Sequence, residues 1–585
     1  MNNQAVFNIA EICARHGITD VVLSPGSRSA PLALAFARHP AYRGRLRVVP
    51  DERAAAFIGL GIAQATRRPV VLVCTSGTAG LNYAPAVAEA FFQQIPLLIL
   101  TADRPPEWID QLDGQTIRQR NLYGAHAKAA FDFPTDTTHP DAKWHAERII
   151  NEAINLTQAG PAGPVQVNVP LREPFYPKLG EVVVYEQDVK IIREIPATGT
   201  LSLSESTELR QRLRNAGRVL VVAGQYPANA PLAAALKSFA LAYRAPIVGD
   251  VISNLTDGLS QILGKQDIFI AGLSEDERNE LRPDLLITFG QSLISKSLKL
   301  FLRNAAPLIH WHVQAAGPVA DTFRSLSEII RVEPTSFFRS IAAGSSPDAS
   351  INDSTTHYNL GWGSAQQHGE TALNNFFGSQ RGRYQEVQEP FNEFSAFRHA
   401  LGALADGTAL HLANSMAVRY ANILGLPQGR QIEVFANRGT SGIDGCNSTA
   451  VGGALAQPAR PVVLLTGDVA FFYDRNAFWH NYPTPNLRIV LFNNHGGGIF
   501  RMIDGPRQQP ELEEFFETHQ ALTAENLCRD FKLRYFPVAS FDELDAALPV
   551  FFAAEGGAAV LEIFTDSKTN AAFFEEYRAA VKAAF

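Results

Sequence analysis

Apolar residues in this chain fall into short, β-branched runs that each break off into small, polar or charged residues, with longer helix-like stretches between them. Runs of that length, bounded by turn residues, predict buried strands of parallel sheets covered by helices. They form three groups. The first holds DVVLSPGSRS, RPVVLVCTSGTAG, IPLLILTADRP and GPVQVNVP; the second holds GRVLVVAGQ, APIVGDV, DLLITFGQS and PLIHWHV. The third holds TALHLANS, IEVFANRGTSG, RPVVLLTGDVAF, RIVLFNNHGGG and AAVLEIF. Two polar passages read as linkers between the groups, one near residues 180–200 and a Ser-, Asp- and Asn-rich one within about 343–385. The pattern predicts an α/β protein of three doubly wound domains with mainly parallel sheets, over residues 1–182, 183–345 and 346–585. The first and third groups share a layout.

At 585 residues the chain is too long for one hydrophobic core. Its formal charge of -7 gives no basic footprint for nucleic acid or a membrane surface, so anionic ligands would need local arginines. Cys13, Cys74, Cys446 and Cys528 lie far apart with no metal-ligand spacing, which points to a reduced, cytoplasmic setting. The N-terminus has no signal-peptide pattern and no apolar run is long enough to span a bilayer, so stable membrane insertion is not expected.

Open α/β sheets bind ligands at the carboxyl ends of their strands, so the breaks after the runs are the places to search. VVLLTGDVAFFYD puts Gly467 and Asp468 at one such end, and RIVLFNNHGGGIF puts Asn493 and Asn494 at the next. Taken singly, Asp468 reads as a helix N-cap and the Asn-Gly stretch as a turn. Taken together, a carboxylate and an amide oxygen from adjacent strand ends suit a small hard cation such as Mg²⁺, which would in turn hold a phosphate group. His495 between them offers an imidazole that such a cation has no reason to recruit.

Gly-Asp followed by two asparagines a strand-helix-strand unit later resembles the signature of thiamin-diphosphate enzymes, with Val469 where that signature has a second glycine. Those enzymes also use a glutamate from another domain. Glu52, in VVPDERAAAFIGLGIAQA, stands at the matching place; taken singly it reads as an exposed helix cap. The resemblance implies that its carboxyl group hydrogen-bonds the aminopyrimidine ring and shares a proton with it, which a dry setting and a raised pKa would favour.

SPGSRSAPLALA, DERAAAFIGLG, TSGTAGLN, TADRPPE with GQTIRQ, and NRGTSGIDG narrow the resemblance to one family, the 2-succinyl-5-enolpyruvyl-6-hydroxy-3-cyclohexene-1-carboxylate synthases of menaquinone biosynthesis. It implies decarboxylation of 2-oxoglutarate and 1,4-addition of the resulting succinyl-semialdehyde carbanion equivalent to isochorismate. Thiamin diphosphate and Mg²⁺ are the implied cofactors, with Mn²⁺ able to substitute, in a homodimer or a dimer of dimers. An acetolactate-synthase-like carboligase or another 2-oxoacid decarboxylase is the alternative.

By motif match, Asp468, Asn494 and the Gly496 carbonyl would hold the metal, and Glu52, Ser415, Ile443, Asp468 and Asn494 the cofactor, with Ile443 wedged beneath it. The implied substrate contacts are Ser27, Arg28, Arg104, Gln115, Lys296, Ser415, Arg419, Arg438, Ile499 and Phe500. Arginine suits the substrate carboxylates because its planar fork grips them in a bidentate manner and stays charged. The family has a basic pair after a middle-domain strand. Here only Lys296 matches, with Ser297 at the second position, and whether Ser297 or Lys299 compensates stays open.

Overall fold

Every apolar run of the three groups is a strand in the computed structural model, which describes residues 4–178, 180–197, 199–255, 262–343, 353–383 and 390–585. The first sheet has β1 (Val21–Leu23), β2 (Leu46–Val48), β3 (Val70–Cys74), β4 (Leu97–Asp103), β5 (Ala129–Asp132) and β6 (Pro164–Pro170), in the order β2-β1-β3-β4-β6-β5. The second has β7 (Val219–Ala223), β8 (Ile247–Gly249), β9 (Ile262–Leu263), β10 (Leu285–Phe289), β11 (Ile309–Val313) and β12 (Glu328–Ile330), ordered β12-β11-β10-β7-β8-β9. The third has β13 (Ala409–Leu412), β14 (Glu433–Phe435), β15 (Val462–Gly467), β16 (Leu487–Asn493), β17 (Arg534–Val538) and β18 (Ala559–Phe564), ordered β14-β13-β15-β16-β18-β17. All their pairings are parallel.

Subtracting the strands that precede it, the third sheet has the order of the first, so the shared layout seen in the sequence is a shared topology. The strands that the apolar pattern does not announce are β2, β5, β9, β12 and β17, and each is a sheet edge. An edge strand is short and half-exposed, so it lacks the continuous apolar run of a central one.

The helix Glu52–Thr66 follows β2 and the helix Cys446–Ala456 follows β14, the same station in two sheets of one topology. They pack on each other with their backbones almost touching. A Cβ at Gly61 would lie 2.0 Å from the Thr449 carbonyl oxygen, and one at Gly452 would lie 2.2 Å from that of Ile58. The contact merges the two domains into one core, in which Phe57, Ile58 and Leu60 pack with Val451, Leu464 and Phe471. The other face of the third sheet shares a core with the middle domain, through Val251, Ile252, Ile268 and Ile294.

Two passages differ from a loose-linker reading. Residues 183–192 lie across the first domain: Val183 and Val189 are buried in its core, and Asn151 and Asn155 donate to the Lys190 and Ile192 carbonyls at 2.8 Å. Within the Ser- and Asn-rich passage, Asp353–Arg383 is one helix. Tyr358, Trp362, Ala365, Ala372, Leu373 and Phe376 are buried along it, a helical stripe that three interspersed glycines and many polar residues mask in the sequence. None of the helices among the described residues is long and apolar enough to cross a membrane, and the four cysteines are buried and free.

Gly452→Ala should destabilise the protein by about 1–3 kcal/mol, because two backbones must separate to admit the methyl. Gly363→Ala, at an exposed helical site open on all sides, should stabilise it by about 0.5–1 kcal/mol. Calorimetric melting of both variants checks the pair; equal shifts would contradict the close crossing.

Candidate active site

β15 and β16 are neighbours, with Gly467 opposite Phe492, so Asp468 and Asn494 emerge at adjacent strand ends. Asp468 is 2% exposed. One of its oxygens accepts from the Val469 N–H at 2.8 Å and the other from Gln520 Nε2 at 2.9 Å. Burial pushes its carboxyl up to about 6. Asn494 donates Nδ2 to Glu393 at 2.9 Å, which leaves its Oδ1 buried without a partner.

Glu393, itself 4% exposed, is pushed up to about 7 by burial, with the Asp468 charge adding to the rise. An orphaned amide oxygen beside a carboxylate held above its ordinary range is a deficit that an oxygen-preferring divalent cation would fill. The residues therefore fit the group. Gly496 lies in the same turn, its N–H directed to Asp468 and its carbonyl accepting from the Gly498 N–H at 3.0 Å. Asn493 holds the turn instead: it donates to Glu562 and the Leu522 carbonyl and accepts from the His495 N–H.

Across the sheet, at the end of β13, Ser415 has φ 73° and ψ -128°, a conformation costly for any residue with a side chain. Its neighbour Asn414 is buried and donates to the Asn437 and Gly442 carbonyls at 2.7 and 2.6 Å. That anchors the NRGTSGIDG loop, in which Ile443 is half-buried against the third-domain core. Ile499 packs on the same core, and the Phe500 ring lies 5.8 Å from that of Phe516.

The loop also places Arg438, whose Nη1 donates to Asn414 Oδ1 at 2.8 Å while its Nε is buried without a partner. Arg419 donates to the Ser415 carbonyl. Burial lowers the pKa of both guanidinium groups, and each is part of one field: Arg419 lowers Arg438, and Arg438 and Arg419 lower the half-buried Lys299, on which burial acts first. The nearest acids are committed elsewhere. Asp250 accepts from the Ile294 and Ser295 N–H groups, Gln266 and Asn422, and Asp267 from Ser295 Oγ and Asn422. Arg438 and Lys299 are half-buried and Arg419 is exposed, and among the described residues none of the three forms an ion pair, which makes them candidates to face an anion. Lys296 is exposed, and Ser297 lines a groove with Arg278 and Asn304.

The first-domain candidates lie at or near the ends of β1, β2 and β4. Arg28 is buried, donating to the Leu171 carbonyl at 2.9 Å and lying 4.2 Å over the Phe175 ring. Arg104 donates to the Gly114 carbonyl at 2.8 Å and pairs with Asp113 at 3.1 Å, clamping the loop that presents the exposed Gln115; Ser27 is exposed too. Glu52 opens its helix half-buried, and burial raises its pKa. Among the described residues no hydrogen bond or ion pair joins Glu52, Ser27, Arg28, Arg104 or Gln115 to Asp468 or Asn494.

Glu393, Gln520 and Asn414 escape sequence reading. Glu393 follows Asn392 at the start of a helix, where an acidic residue after an Asn cap is ordinary, so its role comes only from a partner 101 residues away.

The thiamine pyrophosphate enzyme N-terminal TPP binding domain matches residues 4–122, and the C-terminal TPP binding domain matches residues 423–563. The chain is 44% identical to a 2-succinyl-5-enolpyruvyl-6-hydroxy-3-cyclohexene-1-carboxylate synthase of Cytophaga hutchinsonii, over 100% of each chain. Synthases of the same name from Flavobacterium johnsoniae and Porphyromonas gingivalis are each 36% identical, over 97% of both chains and over 98% and 97% respectively. With full-length identity of this order and both cofactor-binding domains in place, the chain belongs to the 2-succinyl-5-enolpyruvyl-6-hydroxy-3-cyclohexene-1-carboxylate synthase family of thiamine pyrophosphate enzymes.

Proposed function

We propose that the protein decarboxylates 2-oxoglutarate and adds the four-carbon unit in a 1,4 manner to isochorismate, with thiamin diphosphate and Mg²⁺. The observation that carries the reading is the orphaned Asn494 Oδ1 beside the buried Asp468, in a chain whose full-length relatives bear the synthase name. Asp468, Asn494 and the Gly496 carbonyl would hold the cation and through it the diphosphate, and Ser415 and Ile443 would flank the cofactor. Thiamin diphosphate, when bound, supplies the thiazolium that accepts the electron pair released with CO₂.

Glu52 holds a proton at its carboxyl group for exchange with the aminopyrimidine ring, which burial at the helix start favours. Arg419, Arg438 and Lys299 neutralise and orient substrate carboxylates, with Arg28, Arg104, Gln115 and Ser27 supplying the far wall; Ile499 and Phe500 line the pocket between. Lys299 takes the part for which the motif match offers Lys296. A homodimer, in which the first domain of one subunit faces the third domain of the other, follows from the family resemblance.

Purified protein given 2-oxoglutarate, isochorismate, thiamin diphosphate and Mg²⁺ should release CO₂ in step with loss of isochorismate. Release without isochorismate consumption would replace this reading with that of a simple decarboxylase. Glu52→Gln and Asp468→Asn should each abolish turnover, whereas mixing the two variants should restore about a quarter of it, since half of reassorted dimers regain one intact site. No recovery on mixing would argue for sites built within one subunit.

Mg²⁺ must displace a proton from Asp468 at low pH. Its affinity in calorimetry should be flat above pH 7 and weaken about tenfold per unit below about pH 6; a profile flat to pH 5 would remove Asp468 from the ligand set. Lys299→Ala should raise KM for a carboxylate substrate about tenfold and Lys296→Ala by less than about twofold. The reverse order would return the role to Lys296.

A further inference from the structure

We propose that Glu89, a first-domain carboxylate, is the positioning residue that sets the substrate arginine Arg438 of the third domain; this rests on the reading of Arg438 given above. Glu89 lies on the helix Ala84–Gln93 and is 1% exposed. Its Oε1 accepts from the Gly439 N–H at 2.7 Å, and its Oε2 from the Thr440 N–H at 2.6 Å and the Thr440 hydroxyl at 2.5 Å. Gln93, one turn along the same helix, donates to Oε1.

Among the described residues, no ion pair is formed by this carboxylate. A buried carboxylate must be compensated, and here the compensation is the backbone of another domain, 350 residues away in the chain. The two N–H groups it takes are those that directly follow Arg438. Holding them fixes the two peptide planes after the arginine, and with them the direction in which its side chain leaves the loop.

The remaining sides of Arg438 are fixed by the other two domains. Asn414 Oδ1 accepts from its guanidinium at 2.8 Å, and Ser292 Oγ of the middle domain donates to its carbonyl at 3.1 Å. Gly439 permits the seating, because a Cβ there would lie 2.7 Å from the Glu89 carbonyl oxygen. Gln93 extends the pin: its Oε1 accepts from Gln64 at 3.0 Å and from Gln225 at 3.3 Å, and its carbonyl accepts from Gln291 at 3.0 Å. Three domains thus converge on one arginine-bearing loop. Glu89 reaches the substrate only through it.

A glutamine at position 89 keeps the size but turns an N–H₂ toward one of the loop amides, so one donor faces another. The test compares holoenzyme of the natural sequence with Glu89→Gln, Arg438→Ala and the double variant, reading KM and kcat for both substrates and the calorimetric Kd for thiamin diphosphate. The expected result for Glu89→Gln is a rise of about tenfold in the same KM that Arg438→Ala raises, with kcat within about threefold and cofactor Kd within about twofold. The double variant should be no worse than Arg438→Ala, because the carboxylate acts through that side chain.

Losses that multiply in the double variant, or a cofactor affinity that falls together with KM, would overturn the proposal and leave Glu89 as general domain glue. Should Glu89→Gln not fold, Thr440→Val keeps both amides and removes one contact. It should then raise the same KM about twofold to threefold, and an unchanged KM would count against the proposal. An Arg438→Ala variant with unaltered kinetics would sink the preceding reading and this one together, whereas a defective Arg438→Ala beside a silent Glu89→Gln would sink this one alone.

Discussion

The close crossing of the Glu52 and Cys446 helices is the contact on which the rest of the molecule depends. Glycines at Gly61 and Gly452 let each backbone reach the other's carbonyl oxygens, and no side chain could stand between them. Because the helices occupy the same station in two sheets of one topology, their contact relates the first and third domains as near-equivalent halves. It also ties the start of the Glu52 helix to the segment that begins at Asp468: Asp51 accepts from Asn476 at 2.7 Å, and Arg53 donates to the Tyr473 carbonyl at 2.8 Å.

The candidate site is built around groups that folding leaves unmatched. Among the described residues, one end has an amide oxygen with no donor, and the other has guanidinium groups with no ion pair. Burying an unmatched amide oxygen costs stability, and a cation would return that energy on binding. The middle domain contributes by holding third-domain elements in place. Its Asp250 and Asp267 grip Asn422 on the helix Met416–Leu424, and Lys265 donates to the Ile423 and Leu424 carbonyls at the end of that helix. With those acids engaged by Asn422, Gln266, Ser295 and backbone N–H groups, Arg419 and Arg438 form no ion pair among the described residues.

Central strands were legible because burial on both faces demands a continuous apolar run. Edge strands such as β5 and β17 were not, since one side of each meets solvent and the sequence need not mark them. The helix Asp353–Arg383 was hidden for the opposite reason: its apolar stripe is present, but Gly361, Gly363 and Gly369 and a polar majority read as a linker. In the site, Asp468 and Asn494 could be found because their chemistry sits at strand ends within recognisable motifs. Glu393 and Glu89 could not, because each owes its part to a neighbour far along the chain, whereas Lys299 was one of two candidates left open.

The sequence alone determined the three α/β units, the strand ends where chemistry collects and the residue types that suit a metal-bound diphosphate and carboxylate substrates. These follow from local periodicity and from functional groups carried within short motifs. Only the tertiary structure decided which atom of Asn494 is left for a cation, since Glu393 accepts from its amide nitrogen. It likewise placed Lys299 half-buried, where the Arg438 and Arg419 charges act on it, and left Lys296 exposed. A hydrogen bond or a charge acts on what packs against it in space, and that neighbour is chosen by the fold across hundreds of residues.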